Sequence, residues 1–462
     1  MLKSKIARLA GPALLALAAS TVPLRAAESL KVTPPKLEVR QHDLANGLKL
    51  LMYEDHSVPV AAVEVWYHVG SKDERPGRSG FAHLFEHIMF KGSANLAPEE
   101  HRNFITSIGG VYNAGTSFDT TVYYEAFPSN YLERILWMEA DRLSSLNVSE
   151  ENFKSERDVV KEERRLRIDN PPFGRLLEVV LQNTYKTHPY RILSIGSLAD
   201  LDAATLQDVR DFHSTYYVPN NATLVVSGDF DPAQVARWVE TYFGPIPKGK
   251  PIPRDIPKEP AQTAERRLVD YHGNTPLPVA ILTYHAPEAV SPDVYALQVA
   301  SNILSGGESS RLHKRLVYDK QIAIGAGGQA FVLEDPGVFF FFAFLQSGQK
   351  PEDAEKELQA EIDRLKSEPV SADELAKAKN QLISELVFGR QTVQSKADAI
   401  GQAAVILDDV SLVNRQLAEY QKVTAADVQR VARTYFNTDN RTVVYMLPES
   451  MRAAANGEGK KP

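Results

Sequence analysis

The chain has 462 residues, no cysteine, 43% hydrophobic and 24% charged residues, and a formal charge of −7 from 52 basic and 59 acidic side chains. That length corresponds to roughly two to four domains with sizeable cores, which excludes a disordered, collagen-like or disulfide-scaffold chain. Mild acidity without a dense Lys/Arg tract leaves no footprint for nucleic acid, and the lack of cysteine means that any metal must be held by His and carboxylates.

Residues 1–27 have the pattern of an export signal. Lys3, Lys5 and Arg8 form a basic start, Leu9 to Ala19 an apolar, Ala-rich run, and Ala26-Ala27 a small-residue cleavage site. A retained anchor is the alternative, because Leu24 or Arg25 stands where a small residue is wanted. The run is too short to span a bilayer, and no later stretch approaches about 18 uninterrupted apolar residues. The processed protein is therefore expected to be exported without a stable membrane span, and to be periplasmic in a bacterium with two membranes.

Asn46-Gly47 between apolar flanks signals a hairpin, and residues 60–70 (VAAVEVWYHVG) alternate as a half-buried strand. In residues 80–92 (GFAHLFEHIMFKG), His83 and His87 stand four apart. On a helix their imidazoles share one face, one turn apart, placed to grip one ion. Glu86 lies close to that face and can reach a water there without being a ligand. This is the HxxEH pattern, the inversion of HExxH. Phe81, Leu84, Phe85, Ile88, Met89 and Phe90 make the helix mostly buried, and buried His and Glu need partners. A second helix is predicted from Pro98, in the first turn with Glu99 and Glu100, to Gly109-Gly110.

A catalytic two-histidine site needs a third ligand, usually a carboxylate. The charged helical segment 151–169 is the place to look. Glu156 and Glu163, seven apart, share a face, yet composition leaves Glu150, Glu151, Glu156, Glu162 and Glu163 all open. Each taken singly reads as a solvated residue paired with Arg157, Arg164 or Arg165.

Six prolines between Gly244 and Pro260 fix an extended linker. The expected division is 28–244, a linker at 245–262, 263–450, and a polar tail at 451–462. The halves are related: 201–226 and 423–444 each give a capped helix, an aromatic pair (Tyr216-Tyr217, Tyr435-Phe436), a polar turn and a β-branched strand. In the second half, 336–346 (PGVFFFFAFLQ) reads as a strand buried on both faces, and Ser371 caps a helix. The fold class is α+β, twice.

HxxEH at 83–87, followed by Glu163 in an ERxxVxxE context, resembles the pitrilysin-type inverzincins, which include insulin-degrading enzyme and the mitochondrial processing peptidase. Residues 109–128 (GGVYNAGTSFDTTVYYEAFP) are similar to the family's GGxxNAxTxxDxTxY segment, and 304–316 (LSGGESSRLHKRL) and 371–382 (SADELAKAKNQL) match patterns of its second half. The resemblance covers essentially the whole processed chain. It implies two homologous domains, each a mainly antiparallel sheet with packed helices, together forming half of a clamshell. It also implies one Zn²⁺ per chain held by His83, His87 and Glu163, with Glu86 as general base and Glu156 supporting a ligand histidine. Asn113 and Ala114 would lie on the strand that receives an extended peptide, and Arg311 would face substrate.

One departure stands out. The family pattern SRLxxxLRxxxGLAYS supplies an arginine and a tyrosine to the substrate carbonyl. Here Ser310-Arg311-Leu312 is kept, but Ile324 falls at the tyrosine and Gln321 at the glycine, with Tyr318 out of register. Isoleucine has no donor for a developing oxyanion. Arg311 therefore reads equally as structural, capping a helix or pairing with a carboxylate. The expectation is a zinc endopeptidase acting on peptides or unfolded polypeptide, the metal subunit of a heterodimer whose homologous partner brings the Arg/Tyr pair. A non-catalytic subunit of a larger complex and a maturation protease for one precursor are the alternatives. The ligand set would also suit manganese or cobalt.

Overall fold

The computed structural model describes residues 34–452; the predicted signal, residues 1–27, and all but the first two residues of the polar tail lie outside the described residues. Asn46-Gly47 does make a hairpin. The Gly47 amide donates to Leu44 O (2.9 Å), the Leu44 amide donates to Leu48 O (2.9 Å), and Gly47 takes a φ of 94° that only glycine adopts without strain. This turn joins β1 (Arg40–Asp43) to β2 (Lys49–Glu54). With β3 (Val60–Tyr67), β4 (Val111–Thr116), β5 (Thr121–Pro128) and β6 (Ala222–Gly228) they form a sheet in the order β1-β2-β6-β3-β5-β4. The second sheet contains β7 (Arg266–His272), β8 (Val279–His285), β9 (Ala323–Phe331), β10 (Val338–Leu345) and β11 (Arg441–Pro448), ordered β7-β11-β8-β10-β9.

If β2 is matched to β7, the two orders coincide: first strand, last, second, fourth, third. In both sheets the first and last strands pair in parallel, and every other pairing is antiparallel. The duplication read from 201–226 and 423–444 is thus a repeat of topology.

The first half carries α1 (Phe81–Ile88), α2 (Glu100–Ser107), α3 (Leu132–Ser145), α4 (Glu150–Arg164), α5 (Leu176–Thr184), α6 (Leu198–Ala203), α7 (Leu206–Tyr216) and α8 (Pro232–Tyr242). The second carries α9 (Asp293–Ser305), α10 (Pro351–Ser367), α11 (Ala372–Phe388), α12 (Val393–Val405), α13 (Leu412–Lys422) and α14 (Ala425–Tyr435). The repeated helices α7 and α14 both open on a capping box, Thr205 with Asp208 and Thr424 with Asp427, and Ser371 with Glu374 opens α11 in the same way. The helix predicted from Pro98 starts two residues later. Pro98 lies in the preceding turn and Glu99 has a φ of 67°, outside the helical region, while Gly109, at φ 77°, ends the segment as expected.

The halves interlock. Helix α5 of the first half packs on β8, β10 and β11, and α12 of the second packs on β3 and β6. The phenylalanine run shows the result: Val338 and Phe340 join the core of the first half, Phe339 and Phe341 that of the second, so β10 is buried on both faces. A third cluster sets Leu51, Trp66 and Val225 against Ala397, Ile400 and Ala403. Glu334, between β9 and β10, reaches the first half, where it meets Lys72 (2.7 Å) and His68 (2.7 Å).

The proline-rich segment forms no helix or strand between Tyr242 and Arg266, as its composition requires, yet it is tied down. Arg254 donates to Asp73 (2.9 Å), His68 O (2.7 Å) and Asn221 (2.9 Å). Glu259 accepts the amides of Lys186 (2.8 Å), Thr187 (2.8 Å) and His188 (3.0 Å). Among the described residues, no helix is long and apolar enough to cross a membrane.

Candidate metal centre

Helix α1 is short and opens on Gly80, at a φ of 89°, which has no side chain to serve as a cap. Glu74 supplies one from the preceding loop, accepting the amides of Gly80 (3.0 Å) and Ala82 (2.8 Å). Phe81, Leu84, Phe85 and Ile88 are buried, which leaves His83 and His87 on the opposite face, toward α4. Ser149 caps α4 by accepting the Asn152 amide (3.1 Å), and the helix widens after Arg164 into a π-helical turn, Arg165–Asp169. Such turns recur at functional sites.

Where the two helices meet, His87 Nε2 stands 3.3 Å and His83 Nε2 3.7 Å from the same oxygen of Glu163, Oε2. The three side chains can offer ligand atoms within 4.8 Å of one another. A tetrahedral zinc with bonds of about 2.0–2.2 Å would keep its ligand atoms about 3.3 Å apart, so the donor set and its spacing fit the ion. The other Glu163 oxygen is taken by Arg167 (2.7 Å). His87 Nδ1 donates to Glu156 Oε2 (3.2 Å), and Glu156 Oε1 receives Lys91 (2.9 Å), which also meets Glu99 (3.0 Å). Among the described residues, the buried His83 Nδ1 has no hydrogen-bond partner. The remaining candidates Glu150 and Glu162 are exposed and paired with Lys154 and Arg165, and Glu151 is exposed.

The two imidazoles titrate in opposite directions. Burial, then the neighbouring His87, push His83 down to about 4 against the pull of Glu163. Burial would lower His87 too, but the Glu156 and Glu163 carboxylates outweigh it and hold His87 up at about 9. Glu156 is lowered because His87 and Lys91 outweigh its burial, and Glu163 is lowered chiefly by His87. Glu86, only 9% exposed, is raised by burial, opposed by the Thr116 hydroxyl that donates to its Oε2 (2.6 Å).

Asn113 and Ala114 lie on β4, the last strand of its sheet, so among the described residues no strand covers its outer edge. Arg311 is not gathered with these groups. Its Nε and Nη2 fork onto Glu374 (2.7 and 3.0 Å), the residue that completes the cap of α11. That pair pulls Glu374 down to about 2, and Arg311 takes the carboxylate-pairing role. Ile324 is 57% exposed on β9, the counterpart of β4.

His101, Glu125 and Glu139 also bring ligand atoms within reach of one another, all three buried. There Arg142 pairs with Glu139 and stands 4.0 Å from Glu125, so a guanidinium already supplies the positive charge. Sequence reasoning missed Lys91, Arg167, Thr116 and Glu74. Lys91 and Arg167 follow His87 and Glu163 by four positions, a spacing that signals contact, and Thr116 stands in the 109–128 segment. Glu74 reaches its helix from a loop and carries no local signal.

Residues 49–195 match the family model described as insulinase, peptidase family M16, and residues 203–382 match that of the peptidase M16 inactive domain. The zinc protease PqqE of Helicobacter pylori is 34% identical over 88% of this chain and 92% of its own. A crystal structure of a protease from Helicobacter pylori superposes with a TM-score of 0.85 at 33% identity, covering 90% of this chain and 100% of that one. The periplasmic protease PqqL of Escherichia coli has a similar fold, with a TM-score of 0.73 at 19% identity over 93% of this chain and 49% of that one. Two family models matched along the chain and a relative aligned over most of both lengths leave no other assignment: this protein belongs to peptidase family M16.

Proposed function

We propose that this chain is a zinc metalloendopeptidase that hydrolyses peptides or unfolded polypeptide, with one Zn²⁺ held by His83, His87 and Glu163. The observation that carries the reading is the convergence of two Nε2 atoms on one Glu163 oxygen, at 3.3 and 3.7 Å, with the buried Glu86 carboxylate on the same helix. Bound there, zinc supplies a Lewis acid that polarises the scissile carbonyl and makes a water more acidic. Glu86 is the general base; it takes a proton from the attacking water and returns it to the leaving amine. Glu156 holds His87 by Nδ1 and leaves Nε2 free as a ligand. Asn113 and Ala114 receive an extended peptide along the open edge of β4 by main-chain hydrogen bonds, which selects for extension more than for side chains.

The chain acts as the metal subunit of a heterodimer. Arg311 is occupied by Glu374 and Ile324 has no donor, so its own second half lacks the pair that would meet the substrate oxygen. The match to only half of PqqL is consistent with two such chains making one enzyme. On the pattern of residues 1–27, the protein is exported, into the periplasm where there are two membranes.

Glu86→Gln tests the mechanism. Zinc content should stay at the parent level while peptide hydrolysis falls by about 10²–10⁴-fold, and unchanged hydrolysis would sink the reading. Co-purification from the native source tests the heterodimer. A partner-free, monodisperse chain that cleaves unfolded peptides with full efficiency would exclude it.

A further inference from the structure

We infer that Thr116 is the positioning residue for Glu86, and that through it the strand expected to receive substrate also aims the base. The inference rests on Glu86 being the base. The Thr116 hydroxyl donates to Glu86 Oε2 at 2.6 Å, and among the described residues no other hydrogen bond or ion pair is shown for that carboxylate. A glutamate side chain turns about three bonds, so an untethered carboxylate would share its time among several rotamers. The tether leaves Oε1 as the oxygen that takes the proton from water.

Thr116 is well placed to hold something still. It ends β4, paired with Thr121 of β5, whose hydroxyl donates to Val69 O (3.0 Å). The turn that follows is closed by the Ser117 amide donating to Thr120 O (2.8 Å) and by the Ser117 hydroxyl accepting the amides of Asp119 (3.1 Å) and Thr120 (2.9 Å). Thr116 and Ala114 share a face of the strand, because side chains alternate. A peptide added along the outer edge of β4 therefore lies on the same strand that fixes the base, so the reacting carbonyl and Glu86 are registered to one backbone rather than to two elements that move independently.

Thr116→Val removes the hydroxyl at nearly constant volume, and Thr116→Ser restores it on a smaller side chain. Variants made in the native host, with any accompanying subunit retained, would be assayed on an internally quenched extended peptide, with zinc content measured in parallel. Thr116→Val should lower kcat by about ten- to a hundredfold with KM changed less than about twofold and zinc unchanged, and Thr116→Ser should recover most of the loss. A parental kcat in Thr116→Val, a Thr116→Ser variant no better than Thr116→Val, or loss of zinc in Thr116→Val would each overturn the inference. Hydrolysis lost in Glu86→Gln but intact in Thr116→Val removes the tether alone. Hydrolysis intact in Glu86→Gln removes the base assignment and the tether together.

Discussion

Two histidines one turn apart on α1 are pushed in opposite directions in their hold on a proton, and the difference comes from what each ring touches. His87 lies between two carboxylates, whereas His83 lies buried beside His87 with one nitrogen unpartnered. If His83 and His87 hold the ion as proposed, both must be neutral imidazoles, so metal entry would expel the proton that His87 holds up to about pH 9. Loading the zinc-free protein at pH 7 should therefore release about one proton per chain, read by calorimetry in buffers of different ionisation enthalpy. No buffer dependence would refute the site as described. Glu156→Gln should weaken zinc retention by about 10–100-fold, measured against a competing chelator. His83, Glu86 and His87 were legible because their chemistry is written in a spacing of three and four. Which of Glu150, Glu151, Glu156, Glu162 and Glu163 approaches the histidines was not, because it depends on which turn of α4 faces α1. Thr116 and Glu74 were hidden for the same reason, since each serves an element other than its own.

Among elements, local signals told where helices and strands begin and what they bury, and failed where a neighbour decides. The capping boxes at Thr205, Ser371 and Thr424 are visible in sequence, and so was the doubly buried β10. Pro98 misled by two residues because the left-handed Glu99 interposes a turn. Gly401 in the middle of α12 carries no local logic, since alanine would be the better helix former by about 1 kcal/mol. Packing explains it: a Cβ there would lie 2.2 Å from Trp66 Nε1 and 2.3 Å from Cε2, against an indole fixed by its hydrogen bond to Glu64 (2.8 Å). Overpacking of this kind costs about 1–3 kcal/mol, which exceeds the propensity gain. Gly401→Ala should therefore lower the melting temperature, and a raised one would show that α12 sits less tightly on β3.

At the scale of the molecule, the seam between the halves has a carboxyl pair in it. Glu64 on β3, 1% exposed, is raised to about 8 by burial and then by the charge of Asp398 on α12, against the Trp66 hydrogen bond. Asp398 is itself raised by burial, while the nearby Lys396 is engaged by Asp55 (2.5 Å). In the unfolded chain Glu64 ionises near its ordinary 4.5. Between that value and about 8, the folded protein keeps a proton the unfolded chain has lost, so stability falls as pH rises through this window. Glu64→Gln should flatten that decline, giving a smaller loss of melting temperature from about pH 5 to pH 8 than the parent shows. An equal loss in both would place the ionisation elsewhere. The duplication was legible, since one helix-turn-strand unit recurs. The interlocking was not, because periodicity reveals that a face is covered but not by which half.

That interlocking has a consequence for assembly. Each half lends one helix, α5 or α12, to the sheet of the other, which is the arrangement of a two-fold dimer with exchanged arms written into a single chain. Joined by residues 245–262, the exchange no longer depends on protein concentration, because each arm meets its acceptor sheet at the fixed effective concentration that a short tether imposes. Neither half has a complete interior without its twin, so the first half cannot finish its core, with one face of β3 and β6 bare, until α12 has docked.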